Sequence, residues 1–296
     1  MKHVITMDRN SSETAVIDGQ VICPGGTSFL GAGRGGNDRL YASTYNDTQL
    51  IGDADILTNT GRGGNDHLST EGGDGNLLFG DARGFEGSIG SDPEPGMSGN
   101  ARGGNDTLIV NGGTGNIAYG DAPQMTDNAK GGNDTLIILG GDDGNILYGD
   151  AEIMDGHSEG GNDDLFGGDG NDELYGDAAE MGENTTGGND TIDGAGGDDL
   201  INGGGGNDDM WGGAGEDEFV FHANSGNDTI HDFAIGEDEI NLINYFAEAL
   251  VAEYQVEQVG DDTLITLLDG DSITLLGVDA AELAASDSIV TELAPA

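Results

Sequence analysis

The residues with chemistry to offer are aspartates that recur in one fixed context. The string GGND begins at Gly35, Gly63, Gly103, Gly131, Gly160 and Gly187, at intervals of 28, 40, 28, 29 and 27 residues. From Thr185 the interval collapses to nine: TTGGNDTID (185–193), GAGGDDLIN (194–202), GGGGNDDMW (203–211) and GGAGEDEFV (212–220) follow without a gap. Numbered one to nine, each unit has aspartate in slot six and a large apolar residue in slot eight. The slot-six aspartates are Asp38, Asp66, Asp106, Asp134, Asp163, Asp172, Asp190, Asp199, Asp208, Asp217 and Asp228. Glycines around them let the backbone turn sharply and aim carbonyls inward. Carboxylates and carbonyls in that arrangement suit calcium, which takes ~6–8 oxygens; magnesium resists full dehydration, and zinc prefers His or Cys.

A single GGND would read as a flexible turn or linker. Eleven aspartates in the same slot, each followed two residues later by an apolar residue, read instead as ordered cation sites. The copies GNLLFGD, GNIAYGD and GNILYGD depart from the pattern, because Asn76, Asn116 and Asn145 stand where the aspartate would be. Those turns are expected to be held by water or to lack metal.

The elements that position these residues follow from the spacing. Slots seven to nine make short strands that turn one apolar side chain inward by period-two alternation. Two nonapeptides complete one coil, so each strand lies on the strand eighteen core residues earlier, and two parallel sheets enclose a thin ladder of Leu, Ile, Met and Phe. The long units add an expanded turn. GGNDDLF (160–166) and GGDGNDELY (167–175) are followed by GDA (176–178), which opens a turn that GGND at Gly187 closes. The same opener at 52–54, 80–82, 120–122 and 149–151 precedes irregular stretches such as EIMDGHSE (152–159). Every second turn falls on the same edge, so all these insertions should project from one side.

Composition bounds the alternatives. Among 296 residues there are 57 glycines, 35% hydrophobic and 5% aromatic residues, and a formal charge of −49; no Lys or Arg follows Lys130. A chain so acidic and so poor in apolar area cannot offset ~1–2 kcal/mol of backbone entropy per residue without a multivalent cation. The charge excludes nucleic acid and anionic lipid as simple electrostatic partners. Cys23, the only cysteine, excludes an internal disulfide and reads as a small buried apolar residue. MKHVITMDRNSSET lacks the apolar stretch of a secretory signal, and no stretch approaches the ~18–20 apolar residues of a membrane span.

The pattern G-G-x-G-x-D-x-(large apolar)-x, over roughly Gly33 to His231, resembles that of the RTX family of secreted bacterial proteins. The resemblance implies an all-β, right-handed parallel β-roll with several bound Ca²⁺ ions. It also implies sites in which carbonyls of slots one and three with the slot-six Asp meet carbonyls of slots two and four with the Asp of the next turn in the stack. One site would join Thr185, Gly187 and Asp190 to Gly204, Gly206 and Asp208. A second would join Gly194, Gly196 and Asp199 to Gly213, Gly215 and Asp217. A third would join Gly203, Gly205 and Asp208 to Asn224, Gly226 and Asp228, across the extra Phe221 and His222. Gly167 and Asp169 occupy slots one and three of the turn of Asp172.

Three regions are expected: an N-terminal cap at 1–32, with VIDGQVICPG as strand and turn; the roll at 33–231; and a C-terminal capping and export region at 232–296. Phe246, Ala249, Leu250 and Tyr254 share a helical face in 244–255. VEQVG, DTLITLL and DSITLL read as strands, the last two joined at Asp269-Gly270-Asp271. The tail GVDAAELAASDSIVTELAPA resembles the uncleaved export signal of type I secretion substrates, implying that machinery as a partner and an extracellular location.

No H-E-x-x-H or G-x-S-x-G motif is present, and an enzyme is not expected. Asp177 and Glu216 read as solvated surface. The leading reading is an extracellular calcium-binding structural or interaction module. One alternative is a membrane-active or host-interaction effector, with Ile137–Leu139 and Leu242–Leu250 as its apolar candidates. The other is a carbohydrate-binding or enzyme-accessory module facing a surface polysaccharide, for which Tyr119, Tyr148 and Tyr175 would have to form an exposed row.

Overall fold

The computed structural model describes strands Val4–Thr6 and Ser28–Leu30 and residues 36–42, 46–54, 56–84, 96–140, 144–242, 254–267 and 270–291. Its frame is a parallel β-roll of two 11-stranded sheets. Successive strands alternate between the sheets, because each nonapeptide contributes one three-to-five-residue strand and one turn. The first sheet stacks Gln49–Ile51, Leu77–Phe79, Ile117–Tyr119, Ile146–Tyr148, Glu173–Tyr175, Leu200–Asn202, Glu218–Val220 and Glu239–Asn241. The second stacks Arg39–Ala42, His67–Glu71, Thr107–Asn111, Thr135–Ile138, Asp164–Phe166, Thr191–Asp193, Asp209–Trp211 and Asn227–Ile230. The register is that of the nonapeptide: Leu136 lies over Leu108 and under Leu165, and Ile192 under Met210.

The slot-eight side chains form the core. Leu40, Leu68, Leu108, Leu136, Leu165, Ile192, Met210 and Ile230 on one sheet face Leu50, Leu78, Ala118, Leu147, Leu174, Ile201, Phe219 and Ile240 on the other, all buried in one continuous cluster. Slots seven and nine face outward. On the first sheet the slot-nine rings stack in register: Phe79, Tyr119, Tyr148 and Tyr175 have centroids 5.0–5.3 Å apart and planes within 15°. With Tyr119 and Tyr148 only 7% and 6% exposed, this row is a small second core rather than an open face. Tyr148→Ala should cost about 3 kcal/mol, read as a shift of the urea midpoint in saturating calcium.

The insertions do project from one edge, as expected, but they are not irregular. Gln124–Met125, Ala151–Met154 and Ala178–Met181 pair in parallel as a three-stranded sheet, and single bridges extend its columns to Ala54, Leu57, Ala82 and Met97. Ala82, Ala122, Ala151 and Ala178 with Leu57, Met97, Met125 and Met154 bury one another in a core of their own. The signal was present in the sequence: Leu57, Met97, Met125, Met154 and Met181 each stand six residues before a GGND. At the tips Asn59, Gly99, Asp127 and Gly156 all have φ between 59° and 75°, the left-handed conformation that Gly and Asn/Asp tolerate best. Where these loops return to the roll, Arg62, Arg102, Lys130, Glu159 and Thr186 bridge in sequence, and Lys130 is ion-paired with Glu159.

At the C-terminal end the roll is extended rather than merely abutted. Ser272–Leu275 pairs in parallel with Asn227–Ile230, and Asp262–Thr266 and Gln255–Val259 continue the second sheet antiparallel. The three expected strands are thus present, with Gly270 at φ 105° in the second turn. Of the helix expected at 244–255, residues 244–253 lie outside the described residues; Tyr254 packs against the core and Gln255 already belongs to a strand. A helical turn occupies Ala280–Leu283, capped by the Asp279 carboxylate and anchored by buried Leu283. Ile289–Val290 joins the first sheet beside Glu239–Asn241. At the other end Val4–Thr6 pairs with Ser28–Leu30, which pairs with Gln49–Ile51, so both sheet ends run past residues 32 and 231. Cys23 and the segment VIDGQVICPG lie outside the described residues.

Candidate metal centre

Turns between the sheets fall on two edges, and each edge carries a hydrogen-bonded column of slot-six side chains. On the edge with the insertions, the main-chain N–H of Asp38 donates to Oδ1 of Asp66, and the same step repeats through Asp106, Asp134, Asp163, Asp190, Asp208 and Asp228 at 2.6–3.0 Å. On the smooth edge Asp172 donates to Asp199, Asp199 to Asp217 and Asp217 to Asp238, at 2.8–3.2 Å. All eleven predicted slot-six aspartates therefore stand in two columns, and Asp238 extends the second. Sequence reasoning missed Asp238 because GEDEI (236–240) lacks the glycine spacing that marks the other turns.

In eight of these carboxylates one oxygen is used in this way and the other is left over. The Oδ2 atoms of Asp66, Asp106, Asp134, Asp163, Asp190, Asp199, Asp208 and Asp217 are fully buried and receive no hydrogen bond. Burial, aided by neighbouring carboxylates, pushes Asp66 up to about 9 and Asp228 to about 8, and burial likewise pushes Asp199 and Asp208 to about 7. Asp106, Asp134, Asp163 and Asp190 rise well above the ordinary carboxylate range for the same reason. A buried polar atom without a partner is costly, and a row of them marks a place for protons or cations. No three His, Cys, Asp or Glu side chains converge on one point among the described residues. A cation here would therefore rest on few carboxylates and many backbone carbonyls, which is calcium chemistry rather than zinc chemistry.

The turn pairs expected from the sequence are neighbours: Asp190 with Asp208, Asp199 with Asp217 and Asp208 with Asp228, with bridges between Gly196 and Ala214 and between Gly206 and Gly226. Gly167 and Asp169 lie beside Gly194 and Gly196, Asp169 being exposed. Two assignments need correction. Gly194, Gly203 and Gly212 each stand so close to Oδ2 of their own slot-six aspartate that a Cβ would overlap it; in the turn of Asp190 that place belongs to Gly176, not Thr185. The insertion splits the turn, so GD supplies slots one and two, whereas the Thr185 hydroxyl donates to the Gly182 carbonyl at 2.7 Å within the insertion. Asp177 is likewise not solvated surface: it is 0% exposed and accepts from the N–H groups of Gly188 and Gly205 at 2.7 and 2.8 Å. Glu216 is exposed, as expected.

In the asparagine copies side-chain amides take up the column's hydrogen bonds. The main-chain N–H of Thr48 donates to Oδ1 of Asn76, and Asn76, Asn116 and Asn145 continue the smooth-edge column into Asp172. Their Nδ2 groups also donate along the column: Asn76 to Asn116 and Asn116 to Asn145 at 2.9 Å, Asn145 to Asp172 at 3.1 Å. Asn76 Nδ2 reaches the Gly73 carbonyl at 2.9 Å as well. The amide group thus stands where an aspartate would leave an orphaned oxygen. Asn116→Asp should destabilise the roll in chelator by about 2 kcal/mol, with much of the loss recovered by calcium; paired urea titrations with and without the metal measure it.

The fold and these columns define a parallel β-roll repeat protein with buried, regularly spaced carboxylates. The family model of the RTX calcium-binding nonapeptide repeat matches in four copies, over residues 33–48, 157–179 and 184–219. Over those segments the chain matches RTX calcium-binding repeats, and Ca²⁺ is the ion that such a repeat implies. No curated protein matches the chain. Among solved structures, the solution structure of the AlgE6R3 subunit from the Azotobacter vinelandii mannuronan C5-epimerase is similar at 26% identity, covering 45% of this chain and 82% of that one, with a TM-score of 0.34. No helix among the described residues is long and apolar enough to cross a membrane.

Proposed function

We propose that this chain is an extracellular structural or interaction module, without catalytic activity, whose roll folds as it takes up several Ca²⁺ ions after unfolded export. The observation that carries the reading is the buried row of slot-six Oδ2 atoms without donors. It is supported by the 57 Asp and Glu, which the eight Lys and Arg cannot balance and which leave a formal net charge of −49. Bound calcium would supply the missing positive charge. The slot-six aspartates and the inward carbonyls of the glycine turns would hold it, from Asp38 to Asp228 on the insertion edge and from Asp172 to Asp217 on the smooth edge. Because a ligand set of this kind is assembled only by stacking, metal binding and folding are one equilibrium. Low cytosolic calcium then keeps the chain unfolded for a type I exporter.

Amide hydrogen exchange tests the coupling. Slow exchange across both large sheets in calcium and fast exchange throughout in chelator is the expected pattern; equal protection in both would end the proposal. Export is tested separately by deleting residues 277–296 in cells that carry a type I exporter, with retention of the truncated chain expected.

The alternative readings find less support. Tyr119 and Tyr148 are buried in the ring stack, so the exposed row that a sugar-binding face needs is missing from this part of the sheet. Ile138 and Leu242 belong to the core, and Leu139 is 48% exposed.

A further inference from the structure

The five GDA openers place a second file of carboxylates inside the insertion edge. Asp53, Asp81, Asp121, Asp150 and Asp177 are each 0% exposed. They sit one above another, every carboxyl within hydrogen-bond reach of the next. Each also accepts from the second glycine of the GGND that closes its turn: Gly64 to Asp53 at 2.5 Å, Gly104 to Asp81 at 2.9 Å, Gly132 to Asp121 at 3.1 Å, Gly161 to Asp150 at 2.9 Å and Gly188 to Asp177 at 2.7 Å.

The first glycine of each GGND explains itself in the same geometry. At Gly103, Gly131 and Gly160 a Cβ would collide with carboxylate oxygens of two successive openers at once, Asp121 with Asp81, Asp150 with Asp121 and Asp177 with Asp150. Two buried carboxylates thus converge at each of these points. Oδ1 of Asp81, fully buried, receives no donor. The slot-six oxygens of Asp106, Asp134, Asp163 and Asp190, also without donors, approach the opener glycines Gly80, Gly120, Gly149 and Gly176 from the other side. Such a stack of carboxyls persists only if protons or cations neutralise it.

We propose that Asp53, Asp81, Asp121, Asp150 and Asp177 are ligands of a second file of divalent cation sites, with calcium the natural occupant, alongside the slot-six column. In the short nonapeptides slot two is glycine at 204 and 213; in the interrupted turns it is aspartate. The insertion therefore does more than decorate the roll, because splitting the turn makes room for a second carboxylate per coil. The inference rests on the reading that the roll takes up calcium.

Native mass spectrometry at fixed free calcium, counting ions on the folded chain, tests it. Asp121→Asn keeps the shape and an acceptor for the Gly132 N–H but removes the charge. It should lower the ion count, or weaken the last ions to bind by about tenfold or more; Asp81→Asn with Asp121→Asn and Asp150→Asn should lower the count further. Should the triple variant not fold, the single substitution decides. If the openers merely share protons, Asp121→Asn leaves count and affinity unchanged, and the inference is overturned while calcium-driven folding stands. An unsubstituted chain that holds no calcium overturns both.

Discussion

Asp208→Ala is expected to cost about 3–5 kcal/mol of folding stability in calcium, the loss typical of breaking a buried charge arrangement. Asp208 stands mid-column on the insertion edge, accepting from the Asp190 N–H at 2.9 Å and donating its own N–H to Asp228 at 3.0 Å. Truncation strands the buried Asp190 N–H and removes a carboxylate from the two stacked sites that Asp208 is proposed to share, with Asp190 below and Asp228 above. Glu216→Ala, eight residues on and exposed, should change stability by no more than about 0.5 kcal/mol. Urea unfolding of both variants at one calcium concentration makes the comparison. Equal midpoints would mean that the column contributes neither metal binding nor stability at this position.

The second large effect is an inverted response to pH when metal is absent. Asp177 and Asp217 are pushed up to about 6, Asp199 and Asp208 to about 7, Asp228 to about 8 and Asp66 to about 9, burial being the first cause in each. In the unfolded chain these groups ionise near 4. A carboxyl whose pKa is higher in the folded state binds its proton more tightly there. Its contribution to stability is therefore complete below about pH 4 and is lost as pH rises through 6 to 9. In chelator, β structure should be favoured in acid and disappear towards pH 8, the opposite of the usual carboxylate behaviour. Calcium must displace the same protons, so its binding near pH 7 should acidify a weakly buffered solution. Circular dichroism in chelator across pH, with indicator dye for released protons, checks both; β structure that strengthens as pH rises in chelator would contradict the assignment.

The roll was legible because its local chemistry repeats: one aspartate, one apolar residue and a run of glycines every nine positions leave few other ways to bury Leu136 on Leu108 and Leu165. The slot-six columns followed from the same period. What escaped was structure with a longer period and a plainer composition. Met125, Met154 and Met181 recur only once per coil and carry no turn signal, so the third sheet looked like irregular loop. Asp177 was misread because a lone aspartate between glycine and alanine looks solvent-facing; only stacking the coils brings Asp150 against it and the Gly188 and Gly205 amides onto its oxygens. Thr185 was misplaced for a related reason. Contiguity in sequence suggested slot one, whereas the chain leaves the turn after Asp177 and rejoins it at Gly187.

The most direct measurement is far-UV circular dichroism of metal-stripped protein near pH 7.5, titrated separately with CaCl₂ and MgCl₂ at constant ionic strength. Burial of two sheets around orphaned carboxylates predicts a cooperative gain of β signal with calcium and little with magnesium, which keeps its waters. A β spectrum already complete in chelator, or an equal response to both ions, would contradict calcium-driven folding of the roll.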